Sequence, residues 1–219
     1  MDTTEKETLI KLQALDQFEA LLNNKEFSDV KFVVEGKTIY ANKVILISRS
    51  SVFSAMFRNP MKEAQESAVE ITDIEYNVML ETLRFVYVAK VNEIEKFSKS
   101  LLATADKYDL GGLKEICTDH LCTKISVESV VEYLSLADLH NVRQLKEKAI
   151  KFIIDNGNAM VNRPEFDSIV DLHKGAFLEV VRAVLAREKI EDSRSSKSYK
   201  KKLHQTYRHV LLQSLKQNV

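Results

Sequence analysis

The chain has 219 residues, 45% of them hydrophobic, with only five Gly and two Pro, which suits one or two packed domains of mostly helical architecture joined by short connections. Two Cys cannot build a disulfide framework, no secretory leader is legible, and no apolar run approaches the ~20 residues of a membrane span, so the composition points to a soluble protein of a reducing compartment. The formal net charge is zero but unevenly placed: residues 193–219 contain no acid and carry +7 through Arg194, Lys197, Lys200, Lys201, Lys202, Arg208 and Lys216, leaving −7 on the acidic body before them.

Residues 9–22 set Leu12, Leu15, Phe18 and Leu22 on one stripe at three- and four-residue spacing, the pattern of an amphipathic helix that needs the body or a second chain to cover it. Val30, Phe32 and Val34 then alternate with Lys31, Val33 and Glu35, and Glu35-Gly36 turns the chain into Thr38–Ala41, predicting a β-hairpin. Two short apolar helical runs follow, Val44–Ile47 and Val52–Phe57, separated by serines able to cap the second. Residues 69–72 read as a third strand. Asp73 is the expected N-cap of a helix carrying Tyr76, Met79, Leu80, Leu83, Val86 and Tyr87. A similar pattern at Leu101, Leu102, Ala105 and Tyr108 is expected to break at Gly111-Gly112 and to resume through Leu113, Ile116, Cys117 and Leu121.

From Ser126 onward only helices are legible. One carries Val127, Val130, Val131, Leu134 and Ala137 behind a Ser126 cap; the next carries Leu145, Ala149, Phe152 and Ile153 and stops at Gly157. Pro164 opens a turn before Ile169, Val170 and Leu172, and Phe177, Val180, Val181, Val184 and Leu185 form a last core helix. The boundary between the mixed and helical parts is soft, near 122–126.

These residues describe a known pattern. FSDVKFVVEGKTIYANKVILISRSSVFSAMF resembles the opening of the BTB/POZ fold, and VEITDIEYNVMLETLRFVYVAKV, LLATADKYDLGGLKEICTDHL and SVESVVEYLSLADLHNVRQLKEKAIKFI continue it. The last of these looks like the 3-box and the start of a BACK extension, and the whole is similar to the speckle-type POZ group of MATH-BTB adaptors over residues 12–187, a match dense enough to be specific. Two departures stand out: Asn42 occupies the place of a customary histidine in the Ala-His-Lys pattern, and no MATH domain precedes the leading helix, so ordinary substrate recruitment is not expected.

The resemblance implies an α+β fold, a small sheet with surrounding helices followed by an all-helical BACK-like extension. The segments are 1–8 (N-terminal), 9–122 (BTB/POZ), 123–188 (3-box/BACK-like) and 189–219 (basic tail). It also implies a dimeric adaptor of a cullin-3 RING ubiquitin ligase, nuclear or cytoplasmic, with an unidentified protein substrate. Met61-Lys62-Glu63 resembles the cullin contact, an apolar knob and a carboxylate two residues apart; an ordinary polar loop is the alternative. Phe53, Met56, Tyr87, Leu134 and Leu139 complete the implied cullin-facing set. Leu12, Leu15, Phe18 and Leu22 are implied to pack on the partner subunit, against the alternative of a helix capping its own domain. Asp29 and Arg49 are implied as a charged pair at the dimer interface, against two unrelated surface charges.

No enzyme is expected. No P-loop, GxGxxG, GxSxG or paired-carboxylate arrangement is present, and Gly36, Gly111, Gly112, Gly157 and Gly175 assemble no phosphate cradle. Cys117, His120 and Cys122 give at most two ligands on one helix face, short of the four of structural zinc, so neither metal nor cofactor is expected. His140, His173, His204 and His209 have no nucleophile partner or HExxH spacing. In the tail, Leu203, Tyr207, Val210, Leu211 and Leu215 fall at helical spacing among basic residues, without a nucleic-acid recognition motif; docking on the body, an acidic surface, a nuclear address at Lys200–Lys202, and a solvated tail all stay open.

Overall fold

Alternation builds the sheet. In the computed structural model, which describes residues 3–58 and 67–156 together with Gly175 and Leu178, β1 (Val30–Val34) buries Val30, Phe32 and Val34 and exposes Lys31. It turns through Glu35 and Gly36, at φ +51° and +73°, the two left-handed residues of a tight hairpin turn, into β2 (Lys37–Ala41), which buries Ile39 and Ala41. The strands pair antiparallel with Phe32 opposite Ile39. β3 (Ala68–Ile71) pairs parallel to β1 on its other side, Val69 opposite Phe32, giving a three-stranded sheet in the order β2-β1-β3.

Helices surround this sheet. α1 (Thr3–Glu19) begins earlier and ends sooner than the stripe 9–22 implies, leaving Leu22 half-buried in the turn beyond it. After α1, Asn23 exchanges hydrogen bonds with Tyr40, donating its N–H to the Tyr40 carbonyl at 2.9 Å and accepting the Tyr40 N–H on Oδ1 at 3.1 Å. These bonds occupy part of the outer edge of β2, which would otherwise invite pairing. α2 (Lys43–Arg49) and α3 (Ser51–Arg58) follow, and Ser50 caps α3 as expected, its Oγ accepting the Phe53 N–H at 3.1 Å.

α4 (Tyr76–Val88) starts differently from expectation. Asp73 is not its cap: both Asp73 oxygens accept from Lys107 Nζ at 2.8 Å, an ion pair that holds the Asp73 carboxyl below the usual carboxylate range. Glu35 in the hairpin turn accepts the Tyr76 N–H instead, at 3.1 Å. α5 (Ile94–Lys107) ends in a Schellman motif, with Asp109 left-handed at φ +53° and Leu110 N–H donating to the Ala105 carbonyl at 2.8 Å. Asp109, rather than Gly111-Gly112, therefore makes the break. Both glycines lie inside α6 (Gly111–Thr123), and a Cβ at Gly112 would stand 3.2 Å from the tip of the Phe85 ring.

The core of this part is Phe32, Ile39, Leu46, Phe53, Met79, Leu83, Leu101, Leu102 and Tyr108, all essentially inaccessible. Phe53 stacks on Tyr108 with centroids 4.5 Å apart and meets Phe32 edge-on at 5.8 Å. Cys117 is a buried small core residue whose thiol is pushed up to about 12 by burial, so it is unreactive near neutral pH.

Two compact units divide the chain, Met1–His120 and Leu121–Val219. Within the second, α7 (Val130–Leu139) and α8 (Arg143–Asp155) form a helical hairpin burying Val130, Leu134 and Ala137 with Leu145, Ala149 and Ile153. Ser126 and Ser129 exchange backbone-to-hydroxyl bonds at 2.9 and 3.3 Å before α7, and Asn141 at φ +52° closes it with a second Schellman motif whose Val142 is buried. Lys146 joins Asp138 across the hairpin at 3.0 Å. Gly157, Pro164, the Ile169–Leu172 and Phe177–Leu185 runs, and the basic tail fall outside the described residues, Leu178 excepted. No described helix is long and apolar enough to cross a membrane.

Candidate interaction surface

α1 and α2 both pack against α4, so three helices meet on one side of the first unit. α4 supplies the seat because its sequence is apolar almost throughout, burying Val78, Met79, Leu83, Phe85, Val86 and Val88. α1 sits on it with its large apolar side chains, among those described, left in water: Leu15 is 40% and Phe18 48% exposed, and Leu9 and Ile10 are exposed as well. Between the helices runs a groove of about 240 Å³ lined by Leu15, Phe18, Ile45, Ser48, Arg49, Val86, Tyr87 and Ala89. Its only charged lining residue is Arg49, exposed at the last residue of α2, where a cation complements the negative helix end, and no ion pair of Arg49 forms among the described residues.

The floor is set by Tyr87, almost fully buried. Its hydroxyl accepts the Asn42 N–H at 2.7 Å and donates to Asn42 Oδ1 at 3.0 Å, while Asn42 Nδ2 donates to the Phe27 carbonyl. Burial pushes the phenol up to about 12, so it stays protonated and keeps donating. Asn42, at the position noted for its missing histidine, thus fastens the start of α2 to the end of α4.

The sequence-expected interface residues partly converge here. Leu15, Phe18 and Arg49 line the same groove. Leu12 lies in α1, its side chain outside the described residues. Asp29 and Arg49 do not pair within one protomer: Asp29 Oδ1 accepts the Lys43 N–H at 2.7 Å at the start of α2, and Arg49 closes its other end, about 9 Å along the axis at the ordinary helical rise. Each compensates one pole of that helix.

The cullin-facing set is only partly described. Met61, Lys62 and Glu63 lie outside the described residues. Phe53 and Leu134 are fully buried in the chain, and Tyr87, at the floor of the groove, is nearly so. Met56 is half-buried on α3, and Leu139, the last residue of α7, is 71% exposed.

One cluster escaped the sequence reading. Arg84 of α4 donates from Nε to Glu19 Oε1 at 2.8 Å and from Nη1 to Glu81 Oε1, and Glu81 Oε2 accepts the Asn92 N–H at 2.7 Å. Its signal was available: Glu81 and Arg84 are the only charges in the apolar run of α4. Among the described residues no group of three His, Cys, Asp or Glu side chains is placed to hold a metal.

The family model for the BTB/POZ domain matches residues 18–125. The chain thus carries a BTB/POZ domain, a protein-interaction and oligomerisation module of a kind that commonly self-associates as a dimer and is typically non-enzymatic. Among solved structures the chain is similar to the BTB domain of zebrafish PATZ1, at 21% identity and a TM-score of 0.42, over 55% of this chain and 96% of that one.

Proposed function

We propose that this chain is a dimeric adaptor: two copies associate through the α1 face and its groove, and the pair presents two Met61–Glu63 loops and two Ser126–His140 segments to cullin-3 of a RING ubiquitin ligase. The observation that carries the self-association is the unburied stripe of Leu9, Ile10, Leu15 and Phe18 continuing into the groove with Arg49. Apolar area left in water forgoes roughly 25 cal/mol per Å², and a two-fold copy offers the same patch in return.

Support for the cullin part is the sequence position of Met61 and Glu63, which fall in the chain between α3 and β3, and, independently, the exposure of Leu139 at the end of α7. A thioether there suits a partner pocket, and a carboxylate suits its rim. Kinship with the MATH-BTB adaptors and a BACK-like extension from 123 to 188 belong to the same proposal, as does a nuclear address at Lys200–Lys202. Catalysis then resides in the recruited ligase, the adaptor raising effective concentration.

Isothermal titration against the N-terminal region of cullin-3 tests it. Met61→Asp and Glu63→Lys each weaken binding by more than about tenfold, since loss of an interface anchor commonly costs at least ~2 kcal/mol, while Lys62→Ala changes little. Unchanged affinity in the first two, or no binding by the parent, leaves an oligomerisation or transcription-regulating module, or a cargo-free competitor, in place of a ligase adaptor.

A further inference from the structure

Glu19 breaks a local rule. It is the last residue of α1, where the helix end is already negative and a cation would be favoured, and the last turn holds no basic residue. A carboxylate there needs a compensating contact, and Arg84 provides it at 2.8 Å. Arg84 is itself only 17% exposed in its side chain and also holds Glu81, whose side chain is 5% exposed. The second Glu81 oxygen is taken by the Asn92 N–H before α5. One cation therefore sits between two carboxylates, tying the end of α1 through α4 to the segment that follows it. Buried ion pairs of this kind contribute direction and register more dependably than net stability, because desolvation offsets much of their attraction.

Phe18 and Leu15 lie one and four residues before Glu19, so whatever fixes Glu19 on α4 fixes the angle at which those two side chains border the groove. We infer that the Glu19–Arg84–Glu81 cluster positions α1 for self-association, with Arg84 as the positioning residue. The inference rests on the self-association proposed above and adds the device that aims it. Without the clamp α1 still forms and the core is intact, but the apolar stripe samples several angles, and a second copy must select one of them.

The test uses the full chain with Glu19→Ala and Glu19→Gln, substitutions at a half-buried surface position that leave the buried Arg84–Glu81 pair in place. Sedimentation equilibrium reads the dimer dissociation constant, and amide hydrogen exchange reads the protection of α1. The clamp predicts a dissociation constant raised about five- to tenfold in Glu19→Ala, a smaller rise in Glu19→Gln, which keeps an acceptor for Arg84, and faster exchange in α1 at an unchanged unfolding midpoint. Unchanged α1 exchange in Glu19→Ala overturns the clamp, whatever the oligomeric state. A parent chain that stays monomeric overturns the self-association and the positioning role with it, and faster α1 exchange in Glu19→Ala would then show that the clamp alone survives.

Discussion

Tyr87 and Asn42 are bound to each other twice, the Tyr87 hydroxyl accepting the Asn42 N–H at 2.7 Å and donating to Asn42 Oδ1 at 3.0 Å. The pair locks the first turn of α2 to the last turn of α4 beneath the groove. Tyr87→Phe removes both bonds and leaves an amide N–H and a side-chain carbonyl without that partner in a mostly buried place. A stability loss of about 1–3 kcal/mol is expected in urea unfolding, together with weaker self-association, because Ile45 and Arg49 ride on α2. A loss well under 1 kcal/mol would mean that water replaces the hydroxyl freely.

Alkaline pH acts on the core. The Tyr87 and Tyr108 hydroxyls are pushed from 10.0 up to about 12, and the Cys117 thiol from 9.0 to about 12, in each case chiefly by burial. The folded chain therefore keeps protons that the unfolded chain releases. Stability is full below about pH 9 and is lost progressively as pH rises towards 12. Tyr108 adds a control: its buried hydroxyl has no hydrogen-bond partner among the described residues, so Tyr108→Phe costs little at neutral pH and makes the alkaline decline shallower. Urea midpoints from neutral pH upward check both, and a flat profile to about pH 11 contradicts the burial account.

Two adjacent glycines separate packing from propensity. A Cβ at Gly111 meets nothing within 4 Å, whereas one at Gly112 stands 3.2 Å from Phe85. Gly111→Ala is expected to stabilise by roughly 0.5–1 kcal/mol through helix propensity. Gly112→Ala gains the same propensity but must displace a buried ring, so its thermal midpoint falls below that of Gly111→Ala. Equal gains at both positions would show that Phe85 yields freely.

What was legible in the sequence was local. The alternation of Val30, Phe32 and Val34 and the Glu35-Gly36 turn specify the hairpin within a dozen residues, and Ser50 caps α3 from three residues away. The misread features depend on residues far apart in the chain. Asp73 looks like a cap until Lys107 claims it, and Glu35 caps α4 from 41 residues upstream. Gly111-Gly112 look like a breaker until Phe85 explains the second, and the actual break needs a left-handed aspartate. In the site, the apolar spacing of Leu15 and Phe18 was readable, but spacing cannot say that Phe53 and Leu134 close inward, nor that Asp29 and Arg49 sit at opposite ends of one helix. The Glu19–Arg84–Glu81 cluster spans α1 and α4, and only tertiary packing brings it together.

The central claim is that the α1 face and its groove join two copies, and the mass of the particle in dilute solution measures it most directly. Sedimentation equilibrium of the 219-residue chain at micromolar concentration is expected to give about 50 kDa, twice the 25.1 kDa of one chain. Phe18→Asp is expected to move the population towards one chain, because a carboxylate forced into an apolar contact costs several kcal/mol, with the unfolding midpoint kept since Phe18 is 48% exposed in the protomer. A parent particle of about 25 kDa, or a Phe18→Asp particle as large and as tightly held as the parent, would contradict the account.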